Sequence, residues 1–388
     1  MRIVLGYEGL VGLGGTEAYM VLLAERLEGL GHEALIVVRR TGQAADRARK
    51  LAVTVVDDPE GLPDHVDAVI ANDAASSYEL ADRYPQAVRL FVVHSMEGEF
   101  QAPPPGVPQA IVTLNDRVSA WVAARPHGAE RVRLRQPVDL ERFAPLRPAR
   151  QRALRLCAFG NHHHGSQLAA IVACCDELGL ELDHVGHYGR PTPFPEQALQ
   201  HADVVVGIGR CALEGMATGA ATYVLGPVGA DGWVTPSSYE VLEADGFSGR
   251  ATDVIVGRER LLADLCSWTP ELGEEAHRLA RAGHDATEHA RAIVELLQRL
   301  GAPSAPPDGA GELARVVRAA TRAEEVRLGL SLALQNERLE RERAAARAAQ
   351  FEARYERVVS SQRWRAVQLA FRPLDRARRA LRARRTSA

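Results

Sequence analysis

One stretch, Ala202 to Gly219 (ADVVVGIGRCALEGMATG), restricts this chain more than any other. Its apolar run Val204 to Val206 breaks at Gly207-Ile208-Gly209, and Leu213, Met216 and Ala217 then recur on one side, which reads as strand, tight loop and helix. Open α/β sheets are built from such units and place their ligands off the carboxyl ends of the strands. The glycines let a ligand approach the backbone, and the first amides of the helix favour an anion. Arg210 sits in the loop, and Glu214 follows one turn into the helix among small and apolar neighbours. A carboxylate there can accept from a sugar diol while the loop holds phosphate; it equally suits a first-turn acid that serves only the helix dipole.

The chain has 388 residues, enough for two core-forming domains and an appendage. Its 46% hydrophobic and 25% charged composition is ordinary for a soluble globular protein, and a net charge of -3 carries no nucleic-acid signal, so no nucleic-acid partner is expected. Met1 runs straight into Arg2-Ile3-Val4-Leu5 without an apolar leader, and no apolar run approaches a membrane span, which sets a cytoplasmic expectation. The five cysteines are odd in number and form no CxxC pair, so they read as reduced core residues.

The amino-terminal half opens on a short β-run at residues 2–5, followed by Gly6, Gly9, Gly12, Gly14 and Gly15. Thr16 to Leu30 then carries Tyr19, Leu22, Leu23, Leu27 and Leu30 at helical spacing, with Thr16 as cap and Gly31 as stop, and Ala34 to Val38 completes a βαβ unit. A dinucleotide fingerprint fits poorly, since Glu17 stands where a small residue is needed and Arg39-Arg40 stand where an NAD site wants an acid. Only an NADP-binding oxidoreductase survives from that class.

Gly14-Gly15-Thr16-Glu17, with Leu23-Ala24, Leu27 and Gly29-Leu30-Gly31-His32-Glu33, resembles the opening of the retaining GT-B glycosyltransferases of the large family-4 group. Further landmarks follow in the family's order: strands at 68–73, 89–94 and 111–115, a helix at 117–124, and Arg133 to Pro145 (RLRQPVDLERFAP), similar to the segment that leaves the family's first domain. The resemblance covers residues 1–300. It implies an α/β fold with two Rossmann-like doubly wound domains facing a cleft, an acceptor-side domain at 1–148 and a donor domain at 149–300. It implies a nucleotide-diphosphate sugar as donor substrate, with no separate cofactor and no metal. His94, ending an apolar strand, matches a histidine on the acceptor side in relatives; a strand-end histidine satisfied by backbone is the plainer reading. Glu214 matches the glutamate that binds the nucleotide ribose, and the Gly14-Gly15 loop and the Gly209-Arg210 helix start match phosphate-binding positions.

Two departures stand out. Where the family carries a basic pair for the donor pyrophosphate, this chain has Gly160-Asn161-His162-His163-His164-Gly165, leaving Asn161, a histidine and Arg210 as substitutes. Losing one cationic partner can cost on the order of 3 kcal/mol of transition-state stabilisation. The first of the family's two glutamates is matched by Val206. Three adjacent histidines on a loop cannot readily aim at one tetrahedral centre, so no metal site is expected. Gly229 to Pro236 is either a turn with a packed Trp233 or a loop whose Trp233 stacks on a base or sugar.

Residues 301–309 are a linker by composition, and 310–360 should form a long helix, whose partial stripe Leu328, Leu332 and Leu339 allows a homodimeric coiled coil. Residues 361–388 set nine arginines against a single acid, Asp375, with Trp364, Val367, Leu369, Phe371 and Leu374 among them. That pattern suits an anionic bilayer and a peripheral place at the inner face of the plasma membrane; it equally describes a solvated basic tail or an RNA-attracting arm. The leading expectation is sugar transfer to a cell-surface glycan or lipid-linked acceptor. The missing basic pair and Val206 favour an alternative, a catalytically degenerate module that binds nucleotide or glycan and scaffolds a polysaccharide-assembly complex.

Overall fold

Apolar runs such as Ile3-Val4-Leu5, Ala68 to Ala71 and Val204-Val205-Val206 do not alternate with polar residues, so their strands must be covered on both faces, as in a parallel sheet between helices. The computed structural model describes residues 1–360 apart from 97, 99, 100, 253 and 304. Its first lobe runs β1 (Arg2–Gly6), β2 (Gly9–Leu10), α1 (Gly15–Gly29), β3 (Glu33–Val37), β4 (Arg40–Thr41), α2 (Gln43–Lys50), β5 (Thr54–Val56), β6 (Ala68–Ala71), α3 (Ala74–Arg83), β7 (Val88–Val93), β8 (Ala110–Thr113), α4 (Asp116–Ala123) and β9 (Glu130–Arg133). The second lobe runs β10 (Arg155–Phe159), α5 (Gly165–Leu178), β11 (Glu181–Val185), α6 (Glu196–Leu199), β12 (Val204–Gly207), α7 (Arg210–Ala217), β13 (Ala221–Gly226), β14 (Gly229–Trp233), α8 (Tyr239–Ala244), α9 (Arg258–Cys266) and α10 (Pro270–Gly283). Two further helices follow, α11 (Ala286–Arg299) and α12 (Ala310–Ser360).

The first sheet has the strand order β5-β3-β1-β6-β7-β8-β9, all parallel. The second has the order β11-β10-β12-β13-β14 and is parallel except for β14, which hairpins back on β13. Strand order reverses between β1 and β6 in the first sheet and between β10 and β12 in the second. Each reversal opens a crevice at the carboxyl ends of the strands.

Several local expectations shift. Asn115, read as the end of a strand, caps α4 instead, its side chain accepting from the Val118 amide. Thr16 lies inside the first turn of α1, because the chain is already helical from Gly15 and the extended Gly14 takes the capping position without a side chain to offer. Gly31, with φ of +83°, does end that helix in a conformation only glycine adopts freely. Cys266 is exposed rather than in the core, whereas Cys157, Cys174 and Cys175 are buried.

One helix packs across the division expected at 148. The core of the first lobe gathers Ile3, Leu5, Ile36, Ile70, Leu90 and Val112 with α1, and it also contains Ala290, Ile293, Leu296 and Leu297 of α11. The chain therefore crosses back after the second lobe, and α11 seals the first. The physical cause is its apolar stripe, which needs a partner that α1 and β7 supply.

The chain divides into two units, residues 1–318 and 319–388. Within the first, Ala310 and Ala314 of α12 are buried, and Arg318 donates to Glu8 and Glu79 at 2.8 and 2.5 Å. In the second, Val326, Leu328, Leu330 and Leu334 are exposed along α12. The side chains of Leu332 and Leu339, and the whole basic segment 361–388, lie outside the described residues. No helix among the described residues is long and apolar enough to cross a membrane.

Candidate functional site

The strand-loop-helix unit of Ala202 to Gly219 forms as β12, the turn at Ile208-Gly209 and α7. Gly207 has no room for a side chain, since a Cβ would sit 2.8 Å from the Phe159 carbonyl oxygen. Gly209 caps α7 at φ +55°, and its amide donates to the Phe247 carbonyl at 2.8 Å. Gly215 lets α7 lie directly on β12, because a Cβ there would meet Val205 Cγ1 at 2.7 Å. This close seating buries Glu214 to 5% exposure. Arg210 Nε donates to Glu214 Oε1 at 2.8 Å, and Arg210 Nη1 donates to the Pro137 carbonyl at 3.3 Å. Burial pushes the Glu214 carboxyl above the ordinary carboxylate range, against the pull of Arg210 and Arg47.

Glu214 and Arg210 look into a cavity of about 120 Å³ between the lobes. Gly14, Gly15, Glu17 and Arg47 line it from the first lobe, and Asn161 lines it from the second. The Gly14-Gly15 loop and the first turn of α7 thus meet at one cavity. Asn161 ties the first-lobe glycine loop to the second lobe: its Oδ1 accepts from the His187 amide at 2.9 Å, and its Nδ2 lies 3.4 Å from the Leu13 carbonyl oxygen.

The start of α1 differs from the expectation of an open phosphate seat. Glu17 folds back so that its carboxylate lies over Gly14, in the space a Cβ would occupy, and hydrogen-bonds its own backbone amide. An internal carboxylate therefore already faces this helix start. Burial raises the pKa of Glu17, which eases its own protonation.

His94 follows β7 and does not line the cavity. Its Nε2 lies 2.7 Å from Asn72 Oδ1, and the Asn72 amide nitrogen donates to Met20 Sδ, so Nε2 carries the proton and Nδ1 is a bare acceptor. Tyr19 packs edge-on against His94 with ring centres 4.4 Å apart. The Tyr19 hydroxyl in turn donates to His289 Nε2 at 2.9 Å, because His289 Nδ1–H donates to the Arg135 carbonyl at 3.1 Å. Burial first, and the nearby Arg210 charge second, push the His94 pKa down to about 3. The ring is a neutral hydrogen-bonding group at physiological pH.

The histidine loop is held by backbone. His162 Nε2 donates to the Leu225 carbonyl at 3.2 Å and His163 Nε2 to the Val206 carbonyl at 3.1 Å, pinning the loop to the ends of β13 and β12. Among the described residues, no group of three histidine, cysteine or acidic side chains is arranged to hold a metal ion. Trp233 takes the packing role: its Nε1 donates to the Asp264 carbonyl at 3.0 Å, its ring meets Tyr223 edge-on, and it does not line the cavity. Its indole nitrogen is satisfied inside the second lobe.

One cavity residue went unread in sequence. Arg47 comes from α2, next to the buried alanines Ala44 and Ala48, and its guanidinium carbon lies 5.9 Å from the centre of the Phe194 ring of the second lobe. The available signal was helical spacing: Arg47 shares a face with Ala44 and Leu51 in an otherwise polar octapeptide.

No protein-family model matches the sequence, and no curated protein matches it. Solved structures do match. HepE from Anabaena, in complex with UDP-glucose and with UDP and glucose, superposes with TM-scores of 0.57 and 0.56 at 12% and 10% identity, covering 77% of this chain and 100% of HepE. A glycosyltransferase from Rickettsia africae superposes with a TM-score of 0.51 at 14% identity, covering 76% of this chain and 98% of its own. The fold is GT-B. Two Rossmann-like lobes enclose the cavity just described.

Proposed function

We propose that this protein is a glycosyltransferase that moves a sugar from a nucleotide-diphosphate sugar to a cell-surface glycan or lipid-linked acceptor, with retention of configuration and without a metal. One observation carries the reading: the helix starts of the two lobes, with Asn161, Arg210 and Glu214, converge on a single cavity between them. The UDP-glucose bound by HepE, which shares the fold, supports it.

In this reading Glu214 accepts from the two ribose hydroxyls, for which a carboxylate with two acceptor oxygens is suited. Arg210 faces the diphosphate, where negative charge grows as the glycosidic bond breaks. His94, kept neutral by burial, is assigned to the acceptor side as a hydrogen-bonding group for a sugar hydroxyl. The cavity is smaller than the ~300 Å³ at which pockets for drug-sized ligands begin, so donor entry requires the lobes to part. We further assign residues 361–388 to an anionic membrane surface and 310–360 to self-association, which vesicle sedimentation and sedimentation equilibrium of full-length and truncated chains test separately.

The test of the main reading is turnover. Purified protein is offered UDP-, GDP-, ADP- and dTDP-sugars, and release of free nucleoside diphosphate is followed with and without added acceptor glycans. Turnover with one donor, lost in Glu214→Ala, supports the transferase. Nucleotide binding without turnover supports the second reading, a catalytically degenerate module in a polysaccharide-assembly complex. That reading is favoured by Val206, buried in β12 where the resemblance calls for an acid.

A further inference from the structure

Three guanidinium groups gather at the crevice, and two of them are engaged. Arg142 Nη2 donates to both carboxylate oxygens of Glu25 at 2.8 and 2.9 Å, and Arg210 holds Glu214. Arg47 has no ion-pair partner within 4 Å among the described residues, and its Nε is buried without a hydrogen-bond partner. Its remaining neighbours are the face of Phe194 and, further off, the carboxylates of Glu214 and Glu196. Removing a cation from water without returning a counter-charge is unfavourable, and a buried polar group left unpaired calls for an explanation.

An anion supplies one. The second-lobe loop at 160–165 has no lysine or arginine, and the rings of His162 and His163 are spent on backbone carbonyls and kept neutral by burial. The cavity, which that loop borders only through Gly160 and Asn161, has Arg210 on the second-lobe side and Arg47 on the first. We propose that Arg47 is the diphosphate-binding cation of this site, reaching from the first lobe to supply the charge that the histidine loop lacks. This rests on the nucleotide-sugar reading given above. A planar guanidinium pairs with phosphate oxygens through two parallel N–H bonds, a geometry an ammonium does not offer. A diphosphate held between Arg47 and Arg210 bridges the lobes, so binding and closure become one event.

Calorimetric titration of the full chain tests the assignment. UDP, GDP, ADP and dTDP are titrated into wild-type protein, and the tightest is compared with its own nucleoside. Arg47→Met should weaken the diphosphate by about tenfold or more, the size expected for hydrogen bonds to a charged partner, and leave the nucleoside within about twofold. Arg47→Lys should recover part of the loss. Three results overturn the inference: Arg47→Met binds the diphosphate as tightly as wild type, or it loses nucleoside and diphosphate equally, or wild type binds none of the four. The last result also removes the nucleotide-sugar reading. The first, seen together with nucleoside binding that Glu214→Gln abolishes, removes the role of Arg47 alone.

Discussion

The two helix starts that face the crevice handle charge in opposite ways. The α7 start carries its own counter-ion: Arg210 and Glu214 lie one turn apart on the same helix and are closed on each other at 2.8 Å. The first lobe offers Glu17 folded over the α1 start and Arg47 on the neighbouring helix, and these two do not pair. One side of the site is therefore electrostatically complete before any ligand arrives, and the other is left open. A local i,i+4 pair secures folding, whereas an unpaired cation gains its partner only when an anion binds.

The sharpest way to break this contrast is to delete each arginine and measure stability without ligand. Arg210→Met strands the buried Glu214 and should cost about 3–5 kcal/mol in chemical denaturation, the range for removing one partner of a buried pair. Arg47→Met removes a cation that has no partner and should be neutral or slightly stabilising. Equal losses from the two variants would show that the two sides do not differ. The double variant Arg210→Met/Glu214→Gln should recover much of the loss, because it leaves no buried charge behind.

A second test compares the supports behind the two helix starts. His94 and His289 stand behind α1, with pKa values pushed by burial to about 3 and about 4; His163 in the second lobe and His284 after α10 are pushed to about 3 and about 4. All four lie below the unfolded value near 6.5, so the unfolded chain binds more protons in that window. Their contribution is complete above pH 6.5 and is lost as pH falls, by about 1.4 kcal/mol per pH unit for each ring. Thermal midpoints should drop from pH 7 to pH 5, and His289→Gln and His163→Gln should each flatten the slope by a similar amount. A slope unchanged in either variant would mean that its ring is not buried neutral.

The smallest effect concerns Glu17. Glu17→Gln removes the internal carboxylate at the α1 start and should tighten nucleoside diphosphate binding by about two- to fivefold, the scale of a single charge near a helix terminus. Weaker binding would mean that Glu17 contacts the ligand favourably.

Much of this was legible from local pattern. The unbroken apolar runs announced parallel strands, and glycine followed by helical spacing located both loops that meet at the cavity. Glu214 was found because its helix, its loop and its carboxylate all lie within one short segment. Arg47 was not, since what makes it notable is a second-lobe phenylalanine far along the chain and the absence of a carboxylate, neither of which leaves a local trace. The return of α11 to the first lobe escaped for the same reason: adjacency in sequence favoured the second lobe, and only the complementary faces of α1 and β7 decide otherwise. Trp233 carried two readings in sequence, and the Asp264 carbonyl to which its indole N–H donates lies on α9, too far along the chain to be read locally.

Hydrogen exchange of the full chain, with and without a saturating amount of whichever nucleoside diphosphate binds most tightly, tests the shared crevice most directly. Amides around Gly14–Ala18 and around Gly207–Glu214 should become protected together, because one ligand touches both lobes. Protection confined to one lobe would contradict a site built from the two helix starts.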